Sequence, residues 1–334
     1  MSNKNVLVTG STGFIGRHLV EELSRRGEYN IFCLVRDSLK AEPLREYGAK
    51  FIYADITQEE SLKKLLDYKI DFLFHCAGCV KGNKALLYKI NVSGTENICR
   101  LAEDLNVERM VYLSSVAVVS GNNTVPLYED LPYKATSIYG ESKIEAEKRV
   151  FDYRKKGLRT VILRPCMVYG EGEPHMLRQL LTLLKFKIFP LINGGRSKFH
   201  LVYVKNVVDA MIFSLNKDEF LKEAFFVADN EVLTVKEVFT ILSKAINLSP
   251  PWNLPRGLTP FLLNIPLVGK RLRFFLKDRV YSIEKIKNLG FRPTYSAEEA
   301  LIKSARYFLY EKKKKFLSIL RAIKPIASLK KQIK

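Results

Sequence analysis

With 334 residues the chain exceeds a minimal module and suits one large domain with an appendage, or two smaller ones. Its 47% hydrophobic and 27% charged residues exclude a disordered tail, a collagen-like repeat and a disulfide miniprotein, leaving a globular enzyme or binding protein. The 55 Lys and Arg against 35 Asp and Glu leave a net +20, which favours phosphates, nucleic acid or anionic lipid, but half of that excess lies between Ile302 and Lys334, where eleven basic residues face one acidic residue.

In chain order, short β-branched runs alternate with helix-length segments. Strands are predicted at Asn5 to Thr9, Tyr29 to Val35, Lys50 to Tyr53, Phe72 to His75, Met110 to Leu113 and Thr160 to Leu163. Helical patterns fill the gaps, among them Ile15 to Arg26, Glu59 to Leu66, Asn91 to Asp104 and Tyr139 to Arg154. Repeated βαβ units predict an α/β, Rossmann-type, doubly wound parallel sheet. After Gly170 the pattern changes to separate apolar helices, such as Leu177 to Leu184 and Leu258 to Leu267, joined by breaks at Asn193 to Gly195 and Ser249 to Gly257. The expected organisation is a nucleotide-binding domain over 1–170 to which some later segments return, a smaller, mainly helical substrate-binding part over 171–311, and a basic amphipathic tail over 312–334.

Directly after the first strand come Gly10, Gly13 and Gly16, a GxxGxxG spacing that opens a helix. A turn of this kind lets backbone amides approach a pyrophosphate where side chains would obstruct it, so a dinucleotide is the expected ligand. The residue after the second strand selects the cofactor form, because an acid there binds a ribose hydroxyl and an Arg accepts a 2′-phosphate. Arg36 precedes Asp37 here, which favours NADP with NAD as the alternative. Asp55 and Ile56, after the third strand, suit an adenine contact.

Between the fifth and sixth strands, Tyr139 and Lys143 stand four residues apart at the opening of a helix and so share a face. A phenol titrates near 10, and a nearby ammonium group favours the phenolate, so the pair is expected to exchange protons near neutrality. Ser114 and Ser115 close the fifth strand at the carboxyl edge of the sheet, where ligands bind in such folds. One of these hydroxyls is expected to bind a substrate oxygen while Tyr139 moves the proton and a nicotinamide carries the hydride.

With these residues assembled the chain resembles the extended short-chain dehydrogenase/reductases, also described as NAD-dependent epimerases/dehydratases. The resemblance rests on TGxxGFIG (Thr9 to Gly16), HCAG (His75 to Gly78), NVSGTEN (Asn91 to Asn97), YLSSVAV (Tyr112 to Val118), YGESK (Tyr139 to Lys143) and LRPCMVYG (Leu163 to Gly170). It implies Tyr139 as general acid/base, Lys143 as the group that lowers its pKa and holds the nicotinamide ribose, and Ser115 as the residue that orients the substrate oxygen. Ser114 remains a rival, because the stretch from Ser115 to Gly121 is one residue longer than the usual spacing. The cofactor-binding set it implies is Gly10, Thr12, Gly13, Phe14, Ile15, Gly16, Arg36, Asp55, Ile56, Ala77, Gly78, Tyr139, Lys143 and Pro165. Met167 stands where nucleotide-sugar members carry an Asn that helps hold the sugar diphosphate, and a thioether cannot donate to a phosphate. The pattern is thereby closer to the 3β-hydroxysteroid dehydrogenase and dihydroflavonol reductase groups. Lys205 departs from the family's acidic pattern and is open between an anionic-substrate contact and a solvated lysine.

Cys76 and Cys79 form a CxxC, but no second cysteine or histidine pair completes a zinc set, and His18, His75, His175 and His200 are scattered, so no metal is expected. The odd cysteine count and the start MSNKNVLVTG point to a reducing cytoplasmic location. Phe316, Leu320, Ile323 and Ala327 give the basic tail an apolar face, interrupted by Pro325, that is open between attachment to the cytoplasmic side of an anionic membrane and a solvated tail, and nucleic acid is not an expected partner. The leading expectation is an NAD(P)-dependent oxidoreductase of a hydrophobic secondary alcohol or ketone. The alternatives are a nucleotide-sugar epimerase/dehydratase and a non-catalytic nucleotide sensor, and the assembly state, a homodimer included, is open.

Overall fold

In the computed structural model the described residues are 3–186, 190–259, 264–265, 269, 273 and 275–311. They divide into two units. The first holds 3–168, Phe199–Val232 and Asp278–Ser296, and the second holds Tyr169–Lys198, the described part of Leu233–Lys277, and 297–311.

Seven parallel strands form the sheet of the first unit: β1 (Lys4–Thr9), β2 (Tyr29–Val35), β3 (Lys50–Tyr53), β4 (Phe72–His75), β5 (Arg109–Leu113), β6 (Thr160–Pro165) and β7 (Ala224–Val227). Their order is β7-β6-β5-β4-β1-β2-β3. The chain therefore reverses direction across the sheet between β1 and β4, whose register pairs Val6 with Phe72 and Thr9 with His75. A crevice opens outside the carboxyl ends of the strands at such a reversal, and it places the glycine turn beside the loop after β4. β4, β5, β6 and β7 are buried along their whole length, which is why they read as nearly continuous apolar runs instead of alternating ones.

Six of these strands match the sequence expectation, and β7 is an addition, a four-residue AFFV run whose register sets Phe225 against Leu163 and Val227 against Pro165. The principal helices of the unit are α1 (Phe14–Arg26), α2 (Gly94–Asp104) and α3 (Ile138–Lys155), with α5 (Val204–Phe213) in a later segment. α1 ends on Gly27 in the left-handed region, with Arg25 and Arg26 in its last turn against the negative helix end. Apolar side chains cover both faces of the sheet, one cluster including Val6, Leu19, Phe74, Val111 and Phe226, the other Leu7, Leu73, Ile98, Tyr112 and Val150.

In the second unit α4 (Met176–Lys185) buries Leu177, Leu180, Leu181 and Leu184 and packs with α6 (Val235–Ala245), which opens on a reciprocal Thr234–Glu237 capping box. Helix α7 (297–311) is tied back through the Tyr169 hydroxyl, which donates to Ala297 O at 3.3 Å, and the Lys303–Glu171 ion pair at 3.5 Å. The expected helix at Leu258 to Leu267 lies in part, and the tail over 312–334 wholly, outside the described residues. No described helix is long and apolar enough to cross a membrane.

Candidate active site

The turn after β1 is built so that backbone replaces side chain. Gly10 has φ +68°, and a Cβ there would sit 2.6 Å from the backbone nitrogen of Ala77. A Cβ on Gly16 would lie 2.2 Å from the carbonyl oxygen of Gly10. Both positions therefore require glycine, one because the loop after β4 presses on the turn and the other because α1 does. Gly13 caps α1 without any side-chain hydrogen bond, Thr12 and Gly13 are exposed, and Phe14 and Ile15 are half-buried. These features fit a dinucleotide whose pyrophosphate lies against the first turn of α1.

Arg36, at the end of β2, is exposed and pairs with Asp55 at 3.5 Å. Asp37 forms a local cap, its Oδ1 accepting the backbone N–H of Leu39 at 3.0 Å and of Lys40 at 3.3 Å. Its carboxyl lies below the ordinary range because of the Lys40 and Leu39 amides, the former the larger influence. Burial would raise the Asp55 carboxyl, but hydrogen bonds from Thr57 and the charge of Arg36 hold it below its usual value. The Ile56 side chain is buried, packed where a Cβ on Gly94 would meet it at 2.8 Å, and is committed to the core.

The loop after β4 carries Ala77 and Gly78 and is fixed by a residue known from the sequence only as part of a motif. Asn91, buried in a π-helical turn at Lys89–Ser93, accepts from Cys79 N at 2.7 Å and donates to Cys79 O and Ser142 Oγ, each at 2.9 Å. His75 is fully buried between Thr9 Oγ1 (2.7 Å) and Thr95 Oγ1 (3.0 Å), and burial drives its imidazole down to about 3. Cys76 and Cys79 are free thiols. Burial pushes the first up to about 12, and the second donates to Lys81 O at 3.0 Å. Among the described residues no group of three His, Cys, Asp or Glu side chains is placed to hold a metal ion. Pro165 is buried at the end of β6.

Helix α3 starts at Ser137, whose hydroxyl accepts Gly140 N at 3.1 Å. A Cβ on Gly140 would stand 2.9 Å from Ala117 O, so the first turn of α3 lies directly on the segment after β5. That contact brings Tyr139 near Ser115, whose hydroxyl bears on the phenol. Ser115 also caps the short turn Val116–Val118, accepting Ala117 N at 3.2 Å. Ser114 is buried and donates to Glu147. Of the two serines, Ser115 is the one at the phenol.

Lys143, one turn beyond Tyr139, is buried, with its Nζ donating to Leu113 O at 2.8 Å and lying 4.5 Å from the centre of the Tyr112 ring. Burial lowers its amine to about 8 against the charge of Glu147, which raises it. The Tyr139 phenol lies above its ordinary value, because burial raises it more than the nearby Ser115 hydroxyl lowers it. The expected lowering of this phenol by Lys143 is thus not found, because the amine is engaged by Leu113 O and the Tyr112 face. In this state Tyr139 carries its proton and is set as an acid.

Glu147 is a residue the sequence reading missed. It is fully buried, accepts Arg164 Nε at 2.9 Å and Arg164 Nη2 at 2.7 Å, and also takes the Tyr133 hydroxyl at 2.7 Å. Arg164 lies within the apolar strand β6, and a buried guanidinium calls for a carboxylate partner, which is the signal that would have found it. Lys205, left open by the sequence, lies on α5 and pairs with Glu21 of α1 at 3.7 Å, a contact between two helices of the sheet layer.

The profile of the NAD dependent epimerase/dehydratase family matches residues 6–228, which span the glycine turn, both serines, the Tyr139–Lys143 pair and β7. The chain belongs to that family. As an epimerase/dehydratase superfamily enzyme it uses NAD(P), and its relatives divide by reaction. It is 28% identical to the UDP-glucose 4-epimerase of Vibrio cholerae over 325 residues, 92% of this chain and 96% of that one. It is 27% identical to the decarboxylating sterol-4-alpha-carboxylate 3-dehydrogenase of Mus musculus over 343 residues, 93% of each chain. The crystal structure of UDP-glucuronic acid 4-epimerase from Bacillus cereus in complex with NAD superposes with a TM-score of 0.75 at 22% identity, covering 91% of this chain and 98% of that one, a likeness of fold.

Proposed function

We propose that this epimerase/dehydratase family member is an oxidoreductase that interconverts a hydrophobic secondary alcohol and its ketone, with NADP(H) preferred to NAD(H). The carrying observation is the packing of the first turn of α3, which bears Tyr139, on the segment after β5 that bears Ser115, with Lys143 one helical turn on. Met167 supports the substrate class, because it offers no donor where a sugar diphosphate would need one. The sterol dehydrogenase among the relatives supports it too. Arg36 supports the cofactor form: it is exposed beside the end of β2, while the acid next to it is occupied as a helix cap.

When bound, NADPH supplies a hydride to the substrate carbon, and NADP+ accepts one in the reverse direction. Ser115 orients the substrate oxygen by donating to it. Tyr139 then passes its proton to that oxygen as the carbon is reduced, leaving a phenolate that regains a proton from solvent. A phenol above its ordinary pKa is a poor base but holds its proton for this step, so the isolated protein is set for the reductive direction.

The test is a panel of cyclic and polycyclic ketones, UDP-glucose and UDP-galactose, followed by nicotinamide absorbance and by product analysis. Consumption of NADPH with a ketone is the expected result. Interconversion of the two sugar nucleotides with no net change in the nicotinamide would overturn the reading in favour of an epimerase.

A further inference from the structure

Tyr139, Lys143 and Glu147 stand at successive turns of one face of α3, the first half-buried and the last wholly buried. Glu147 collects donors from three other segments of the first unit: Ser114 at the end of β5, Arg164 in β6 through two parallel bonds, and Tyr133 in the connection before α3. Arg164 extends the cluster by donating to Glu129 O at 2.8 Å, and the Glu129 carboxylate accepts Phe226 N of β7 at 2.9 Å. Stability alone does not account for an ion pair in this place, since apolar residues of similar volume commonly serve a core equally well.

Two consequences reach the reacting groups. Ser114 is tied to Glu147, and the next residue in the chain is the serine near Tyr139, so the tie fixes the backbone from which Ser115 projects. The charged and titratable groups around Lys143 are Glu147 on its own helix, Cys76 and His75 at the end of β4, and Tyr112 on β5. His75 is neutral and Cys76 is held as a thiol by burial, which leaves Glu147, shared with the Arg164 guanidinium, as the anion among them.

We propose that Glu147 is a positioning residue of this active site, which aligns Ser115 with Tyr139 through Ser114 and supplies the counter-charge that keeps the buried Lys143 protonated. The proposal rests on the acid–base reading above and deepens it. Glu147 does not itself touch the reacting atoms.

The experiment follows Lys143 directly, by NMR of the full chain carrying isotope-labelled lysine, with the signal assigned through Lys143→Arg. Glu147→Gln is expected to make Lys143 lose its proton about one pH unit lower than in the wild type, since an adjacent opposite charge commonly moves a titration by that much or more. The alkaline limb of the kcat profile for NADPH and a bicyclic decalone should move with it, and Glu147→Asp should restore both in part. Ser114→Ala should leave the Lys143 titration in place and lower kcat by about tenfold at unchanged KM, a loss of alignment alone. If Glu147→Gln fails to fold, Glu147→Met combined with Arg164→Met removes the pair without stranding a charge and is expected to show a smaller fall in the Lys143 titration, because the Arg164 cation leaves with the carboxylate. A folded variant in which Lys143 titrates as in the wild type overturns the counter-charge role, and unchanged turnover in Ser114→Ala overturns the alignment role. Failure of the acid–base reading is seen separately, as turnover that survives in Tyr139→Phe, and leaves the Lys143 titration to judge Glu147.

Discussion

The Ser114 hydroxyl donates to the buried Glu147 carboxylate, while its neighbour Ser115 lies in the segment on which the first turn of α3, with Tyr139, packs. Adjacent residues of an extended strand point to opposite sides, so the two serines cannot exchange roles without rebuilding the end of β5. Ser115→Ala should lower kcat about 100-fold, within the range for a group that takes part in proton transfer, and leave NADPH affinity unchanged. Steady-state turnover with a decalone and a fluorescence titration of NADPH check the two halves.

The proposed preference for NADPH rests on Arg36. Replacing it with Ala should weaken NADPH binding by about 2 kcal/mol, roughly thirtyfold, the value of a hydrogen-bonded contact to a charged group. NADH binding should hardly change, because Asp37 is occupied by the amides of Leu39 and Lys40. Equal losses for both dinucleotides in a calorimetric titration would remove Arg36 from the choice.

Acid should destabilise the protein through His75. Its folded-state pKa, about 3, lies below the ordinary 6.5, so the unfolded chain takes up a proton that the folded chain refuses. The stability this represents is present above pH 6.5 and is lost as pH falls toward 3, amounting to about 2 kcal/mol by pH 5. His200, also lowered by burial, acts in the same direction, so the informative quantity is a difference. Urea unfolding at pH 7 and pH 5 should show a smaller acid loss in His75→Gln than in the wild type.

Vesicle sedimentation tests the basic carboxy-terminal stretch. Helix α7 exposes Leu309 and Tyr310 near its end, and the residues that follow run KKKKFLSILR. Apolar area together with attraction to anionic headgroups is the combination that holds a helix at a lipid surface. If the stretch attaches the chain to lipid, the full chain should sediment with vesicles containing phosphatidylserine and the chain lacking 312–334 should not, with turnover of a water-soluble ketone intact in both. Persistent sedimentation would clear the tail of that role.

Much of this architecture was legible because the strands are short, largely apolar runs, and six of them stand between helices of recognisable period. β7 was not, since four apolar residues in a helix-rich stretch carry no period of their own. The glycine turn could be read because Gly10 and Gly16 answer a steric demand that leaves few alternatives. The division between Ser114 and Ser115 could not, because it depends on a partner 33 residues away. Glu147 was hidden for a similar reason. It sits in a run of charged residues in which Glu145, two positions earlier, pairs with Lys148 at the surface, and only the packing of α3 on β6 separates the buried acid from the solvated one. Lys143 shows the limit of spacing arguments, for sharing a helix face with Tyr139 did not direct its amine to the phenol.

The most direct measurement of the central claim is turnover of NADPH with a decalone by Tyr139→Phe, set beside NADPH binding to the same protein. The account predicts a loss of at least about 1000-fold in kcat, the upper part of the range for general acid catalysis, with binding retained. Turnover at the wild-type rate in a variant that binds NADPH normally would contradict it.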